Sequence, residues 1–324
     1  MINLSLKDRK ILNEIEMNAR ITHSELAKKL KTSKQVIKYR IENLEKQKII
    51  QGYFAIVDIL RLGFTPHVLY FKFIGLSSAK EKQWIEQIQK HSSVMSIGKN
   101  AGAWDLTVVI KAQNNQELDK IYKEITAGKA DKIKEKLITS QIESTYLTET
   151  LFYDKSGKEA TTAGGEIAKI DETDEKLITI LAENCRISLV ELSEKLKMSP
   201  NGVKERIKKL ENEKIIVGYK TKINYELLGF LHFRVFIHVK KMSQEFYEQV
   251  KQYLKSKGNV ESISRFWGYA DIDFRIHAKN IFELYNQLAG LKDKFIENIV
   301  DIDSMIIVSW ESINYYPKQT KQTF

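Results

Sequence analysis

Residues 32–53 read TSKQVIKYRIENLEKQKIIQGY, and residues 198–219 read MSPNGVKERIKKLENEKIIVGY. Arg40 stands opposite Arg206, an offset of 166 (206 − 40). The same offset matches Ser33 with Ser199, Lys38 with Lys204, Leu44 with Leu210, Ile49 with Ile215 and Gly52 with Gly218. It holds almost throughout the 324 residues without a gap. Asn18-Ala19-Arg20-Ile21 matches Asn184-Cys185-Arg186-Ile187, and Leu62-Gly63-Phe64 matches Leu228-Gly229-Phe230. A fixed internal period sets the architecture before any local pattern does. The chain is therefore one two-part unit of about 150 residues, present twice.

Each unit opens with three expected helices. Ser5 to Asp8 and Asp171 to Asp174 carry N-cap chemistry, and Ile11, Leu12 and Ile15 (Leu177, Ile178, Leu181) share one helical face. Thr22-x-x-Glu25 and Ser188-x-x-Glu191 are capping boxes that open a short second helix. Ser33 and Ser199 cap a third, and Pro200 suits its first turn. Ile37, Ile41 and Leu44 (Val203, Ile207, Leu210) point inward. Lys34, Gln35, Lys38 and Tyr39 point outward in the first copy, and Asn201, Lys204, Glu205 and Lys208 in the second. Ile49–Val57 and Ile215–Ile223, interrupted by Gly52 and Gly218, read as small wing hairpins. Helix–helix–turn–helix–wing is the winged helix-turn-helix plan.

The second part of each unit changes period. His67–Ile74, Val94–Lys99, Leu106–Ile110 and Leu137–Leu147 read as strands, and Ala79–Lys90 and Gln116–Thr126 as amphipathic helices. The order βαββαβ is the split ferredoxin-like motif, and the second copy repeats it from His232 to Trp310. The fold class is thus α+β, with winged helix-turn-helix domains at 1–60 and 171–226 and ferredoxin-like domains at 61–152 and 227–316. Residues 153–170, containing DKSGKEATTAGGEIAKI, read as a flexible linker, and 317–324 as a tail.

The net charge of +10 points to a polyanionic partner. The single cysteine, Cys185, precludes an internal disulfide and fits a reducing, cytoplasmic setting. No signal peptide is expected in MINLSLKDRK, and no apolar run reaches the ~18 residues of a membrane span. The six histidines show no metal-ligand spacing, so no metal or cofactor is expected.

With these residues in place, the chain resembles the Lrp/AsnC, or feast/famine, transcription regulators. The resemblance rests on Asp8, Ile11-Leu12, Asn18-Ala19-Arg20, Glu25-Leu26-Ala27, Ser33, Arg40-Ile41, Leu44-Glu45, Gly52-Tyr53 and Leu62-Gly63, and it covers both copies. Gly102-Ala103-Trp104-Asp105 resembles the family's G-x-x-D effector loop. The family usually has Gly where Lys48 and Lys214 stand, a place that suits a positive φ. The resemblance implies a sequence-specific regulator of double-stranded DNA, modulated by a small effector such as an amino acid. Typical members carry one unit and form dimers or higher oligomers. A tandem chain can do likewise, or pair its two copies as an intrachain pseudo-dimer.

The expected DNA contacts are Ser33, Lys34, Gln35, Lys38, Tyr39 and Arg40 in the first copy and Ser199, Asn201, Lys204 and Arg206 in the second. The effector candidates are Gly102, Asp105, Gly268 and Asp271. Residues 1–50 hold twelve Lys/Arg against six Asp/Glu, a balance of +6, whereas 171–220 hold ten of each. The heads are therefore expected to bind DNA unequally. Trp104, Phe266 and Trp267 are expected to be packing or interface residues, with an aromatic ligand shelf as the lesser alternative. An alternative is a siroheme decarboxylase-like enzyme of the same fold. The His-Asn-Tyr/Arg-rich segment that marks those enzymes is missing from Val94–Asn100 and Val260–Trp267, although Arg265 is present.

Overall fold

The computed structural model describes residue 2 and residues 4–153 and 157–317. The first head is α1 (Leu6–Glu16), α2 (His23–Lys29) and α3 (Lys34–Lys46), followed by β1 (Ile50–Val57). Its caps are those the sequence implies. Ser5 Oγ accepts from Asp8 N–H at 3.2 Å, and Thr22 and Glu25 bond each other reciprocally. Lys48 takes φ +60° and Lys214 φ +54°, so lysine occupies the left-handed position that the glycine would have filled.

The ferredoxin-like part runs β2 (Thr65–Phe73), α4 (Ser78–Ile88), β3 (Val94–Ala101), β4 (Leu106–Ala112), α5 (Asn115–Ile125) and β5 (Ile133–Tyr146). A short strand, β6 (Ala160–Thr162), precedes the second head: α6 (Glu172–Glu183), α7 (Leu189–Leu196), α8 (Pro200–Asn212) and β7 (Ile216–Ile223). The second ferredoxin-like part is β8 (Leu231–Val239), α9 (Gln244–Lys255), β9 (Val260–Trp267), β10 (Ile272–Ala278), α10 (Ile281–Lys294) and β11 (Ile299–Ile313).

The expected wing hairpins do not form. β1 is one strand, and it pairs antiparallel with β7 of the other copy, Ile50 opposite Ile223 and Val57 opposite Ile216. Nine residues are too few for two useful strands and a turn, and Gly52, at φ +155°, marks a slip in register rather than a reversal. The ribbon joins the heads, whose helices share one core. Ile11, Leu12 and Ile15 are fully buried together with Leu177, Ile178 and Leu181. Burying each such side chain contributes about 1.5–3 kcal/mol.

The two four-stranded sheets, β5-β2-β4-β3 and β11-β8-β10-β9, are also joined edge to edge. β5 pairs with β9, and β3 with β11, so eight strands close into a barrel with each copy's last strand crossing to the other. Closure removes the free edges that either sheet alone would expose. The helices lie outside. Trp84 on α4 is 1% exposed and satisfies its indole by donating to Ile125 O at 2.6 Å. Tyr70, Phe236, Phe266 and Met305 fill part of the inside.

The expected flexible linker is in large part fixed. Ala160–Thr162 pairs with β5, Asp58 accepts from the backbone N–H groups of Ala163 and Gly164 at 3.0 Å, and Ala168 N–H donates to Arg61 O at 2.7 Å. Small polar residues gave these backbone partners no sequence signature. Residues 154–156 of that segment, and the expected tail from 318 onward, lie outside the described residues.

Candidate functional site

Ser33 caps α3 by accepting from Val36 N–H at 3.2 Å, and Ser199 caps α8 by accepting from Gly202 N–H at 3.1 Å. Both hydroxyls thus orient the helix starts. Lys34, Gln35, Lys38 and Tyr39 project into solvent, Tyr39 with 70% of its surface exposed. Among the described residues Lys38 makes one long ion-pair contact, 3.7 Å to Glu42, with both side chains largely exposed. On α8, Asn201 and Lys204 are exposed, but Lys208 pairs with Glu205 at 3.1 Å and Lys209 with Asp174 at 3.0 Å. The more basic head therefore also keeps its cations freer.

Arg40 and Arg206, expected at the DNA, face the protein. Arg40 Nη1 donates to Asp8 at 2.8 Å and Ser5 at 3.1 Å, and Arg206 Nη1 donates to Asp171 and Asp174 at 2.7 Å each. Each clamps the third helix onto the first. The i, i+35 spacing of Asp171 and Arg206 hid this pairing from a helical-face reading. On Asp171, backbone N–H bonds from Asp174 and then the Arg206 bond hold the carboxyl below its ordinary range.

Gly102 and Gly268 take φ +128° and +124°, a region glycine favours. Each loop presses on the other copy's last strand. A Cβ at Gly102 would lie 3.4 Å from Met305, and one at Gly268 only 3.1 Å from Ile138 O. Asp105 accepts from Phe73 N–H and Lys72 Nζ at 2.8 Å, and Asp271 accepts from Val239 N–H at 2.9 Å. The four residues thus sit at the seams between copies, where the aspartates brace the loops. Trp104 packs on Tyr70 at 5.8 Å and Phe266 lies in the barrel, while Trp267 does not pack within the chain and is 74% exposed.

A cluster not anticipated from the sequence lies where the second copy's ribbon strand meets the barrel. Glu261 pairs with Lys220 at 2.9 Å and approaches Arg275 at 3.6 Å. Burial pushes its carboxyl up, but Arg275 and Lys220 outweigh burial and hold it well below the ordinary range. His232 stacks on His277 at 4.3 Å, and His277 on Tyr225 at 3.9 Å. Burial, with the second imidazole adding to it, lowers His232 to about 3, so it is neutral. His277 Nδ1 meets Glu149 at 2.8 Å, and Glu149 N–H donates to Glu16 of α1 at 3.1 Å. Burial and then Glu149 raise the Glu16 carboxyl well above its ordinary value. Deeper in the barrel, Arg234 pairs with Asp273 at 2.5 Å. At the first copy's counterpart positions stand Ile59, Pro66, Met95 and Lys111 in place of Tyr225, His232, Glu261 and His277. Partners scattered over α1, β7–β10 and the segment after β5 leave no spacing motif to find. Among the described residues no group of three or more His, Cys, Asp or Glu is placed to hold a metal ion, and no helix is long and apolar enough to cross a membrane.

The winged helix-turn-helix DNA-binding family matches residues 4–51 and 170–217. An uncharacterized HTH-type transcriptional regulator of Pyrococcus abyssi is 33% identical over 116 residues, 35% of this chain and 77% of its own. The HTH-type transcriptional regulator LrpC of Bacillus subtilis is 31% identical over 113 residues, again 35% of this chain and 77% of its own. A crystal structure of the siroheme decarboxylase NirDL, in complex with an iron-uroporphyrin III analogue, shares the fold end to end. The TM-score is 0.62 at 13% identity, covering 96% of this chain and 94% of that one.

Proposed function

The chain belongs to the Lrp/AsnC family of helix-turn-helix transcriptional regulators, and from that membership we propose that it reads double-stranded DNA sequence-specifically as an intrachain pseudo-dimer whose first head dominates. The observation that carries the reading is the outer face of α3, where Lys34, Gln35, Lys38 and Tyr39 are exposed on a head of balance +6. Lysines there suit phosphates, and Gln suits a base edge. The ribbon and shared core hold both heads in a fixed relation, which suits paired half-sites of unequal weight. On α8, Ser199, Asn201 and Lys204 supply the weaker contacts. A small effector such as an amino acid fits the same reading at the loops of Gly102, Asp105, Gly268 and Asp271, because a ligand there would bias the seams between copies.

The test is a titration of the full chain against fluorescent promoter fragments across ~50–200 mM salt. Affinity is expected to fall steeply with salt and to drop in Lys34→Ala/Lys38→Ala. Binding unchanged in that variant would overturn the assignment of the dominant head.

The end-to-end likeness to NirDL favours a second reading, an enzyme acting on a tetrapyrrole. Weighing against it, Arg234, Arg275 and Lys220 already face Asp273 and Glu261, which leaves few free cations for a polycarboxylate macrocycle. A saturable absorption change with siroheme, and no DNA binding at low salt, would favour the enzyme.

A further inference from the structure

Below the ribbon, the second copy and residues Gln51 and Phe54 of β1 line an open pocket of about 400 Å³, within the usual size of small-molecule pockets. It lies between β7, the turn after it, and the ends of β8, β9, β10 and β11. Phe54, Phe230, Trp310 and Tyr315 give it aromatic walls. Two lysines on β7, Lys220 and Lys222, line it from the same face of the strand, as a spacing of two requires. Lys220 is neutralised by Glu261 at 2.9 Å. Lys222 is half-buried, and burial alone lowers its pKa, with no carboxylate acting on it. No hydrogen bond or ion pair is found for its ammonium among the described residues.

A half-buried lysine without an acidic partner is a standing electrostatic cost, and here it faces open volume with aromatic sides. At the first copy's equivalent position stands Ile56, fully buried, and Met95 stands where Glu261 does. The two halves of the chain have diverged at this cavity: the counterpart pocket beside Ile59, Pro66 and Met95 is lined by Asp58, Arg234, Asp273 and Arg275 and carries no lysine.

We propose that this cavity binds a small aromatic or flat apolar molecule bearing one anionic group, with Lys222 Nζ taking the anion and the aromatic side chains taking the body. The anion is a carboxylate or a phosphate monoester; both supply oxygens that a lysine ammonium binds by charge-assisted hydrogen bonds. A protonated amine is disfavoured by Lys222, the lining cation without a carboxylate partner. Two carboxylates line the cavity: Glu261 already serves Lys220 and lies within 3.6 Å of Arg275, and Glu226 is exposed at its rim.

Calorimetric titration of the full chain, without DNA, with phenylacetate, phenyl phosphate and phenethylamine tests the site. Its outcome is independent of whether the protein reads DNA. We expect saturable binding of at least one of the two anions and none of the amine. The stronger of phenylacetate and phenyl phosphate identifies the anion class. Lys222→Met, which keeps the apolar stem, is expected to weaken that binding about ten- to a hundredfold, and Lys222→Arg to retain most of it. Circular dichroism of each variant confirms that it is folded. No saturable binding of either anion by the folded wild type would overturn the proposal, as would binding undiminished in Lys222→Met or preference for phenethylamine.

Discussion

The guanidinium of Arg20 lies over the ring of Tyr219, 5.3 Å from its centroid, and Arg186 lies over Tyr53 at 4.8 Å. Each pair spans the two copies. Arg20 Nη1 also donates to Cys185 O at 2.8 Å, while Ala19 N–H donates to Tyr219 O and Cys185 N–H to Tyr53 O. The Asn-x-Arg-Ile and Gly-Tyr segments of one copy therefore satisfy those of the other. This is what a two-fold dimer contact looks like once it is written into a single chain. Cys185 is fully buried in it, and burial pushes its thiol up to about 12, so it is inert.

Arg20→Ala is expected to lower unfolding free energy by about 1–3 kcal/mol, because it removes the ring contact and leaves the Cys185 carbonyl short of a donor. Arg20→Lys should recover only part of this, since an ammonium cannot stack flat and donate sideways together. Urea denaturation measures both. A double variant with Tyr219→Leu should lose less than the sum of the two single losses; strict additivity would mean that the pair does not interact.

Tyr39→Glu makes the first recognition helix resemble the second, where Glu205 stands. The carboxylate would face phosphates, so operator affinity at physiological salt is expected to fall about tenfold or more. Glu205→Tyr should raise affinity modestly and leave Lys208 without its partner. Fluorescence anisotropy on one promoter fragment compares the two. Equal losses from Tyr39→Glu and from Lys204→Ala would contradict unequal heads.

How far the sequence could be read depended on how local each cause was. Caps, helical faces and the βαββαβ order need partners only a few residues away, and Thr22–Glu25 or Ile37–Ile41–Leu44 announced them. The 166-residue offset revealed two copies, but nothing in β1 says that its partner is β7 rather than itself. The alternation of a strand is the same whichever edge it joins. The Arg40–Asp8 and Arg206–Asp174 clamps were hidden for the same reason. The charged cavity was invisible because Lys222, Glu261 and Trp310 come together only when the barrel closes.

Glu16 gives a pH signature in the other direction from ordinary salt bridges. Its carboxyl is raised well above 4.5 by burial and Glu149, with Tyr225 OH donating to it at 3.1 Å. The folded state thus holds the proton more tightly than the unfolded state. Below pH ~4.5 both states are protonated and there is no cost; as pH rises towards the folded value, stability falls. Glu16→Gln should match wild type near pH 4 and gain on it progressively as pH rises above that. Thermal melts from pH 4 to 8 decide it, and a Gln variant that gains nothing on wild type as pH rises would refute a raised Glu16 carboxyl.

Lys111 carries the last expectation. Its side chain is buried, 2% exposed, and its ammonium donates to Pro317 O at 2.7 Å over the ring of Tyr316, 4.2 Å from the centroid. Burial lowers its pKa from 10.5 to about 8, against the weaker pull of Glu175 and Glu117. Here the unfolded chain holds the proton more tightly. Below pH 8 both states are charged and the burial cost is felt in full. Between about 8 and 10.5 the folded state releases its proton first, so the cost is progressively recovered and stability rises with pH. Lys111→Met removes the group. Its stability advantage over wild type is expected to shrink by roughly 1–3 kcal/mol as pH goes from 8 to 10.5, whatever its value at pH 8. Taking the difference between the two proteins cancels the tyrosines, which titrate in both. A pH-independent difference in urea midpoints would show that the Pro317 carbonyl and the Tyr316 ring fully compensate the buried charge.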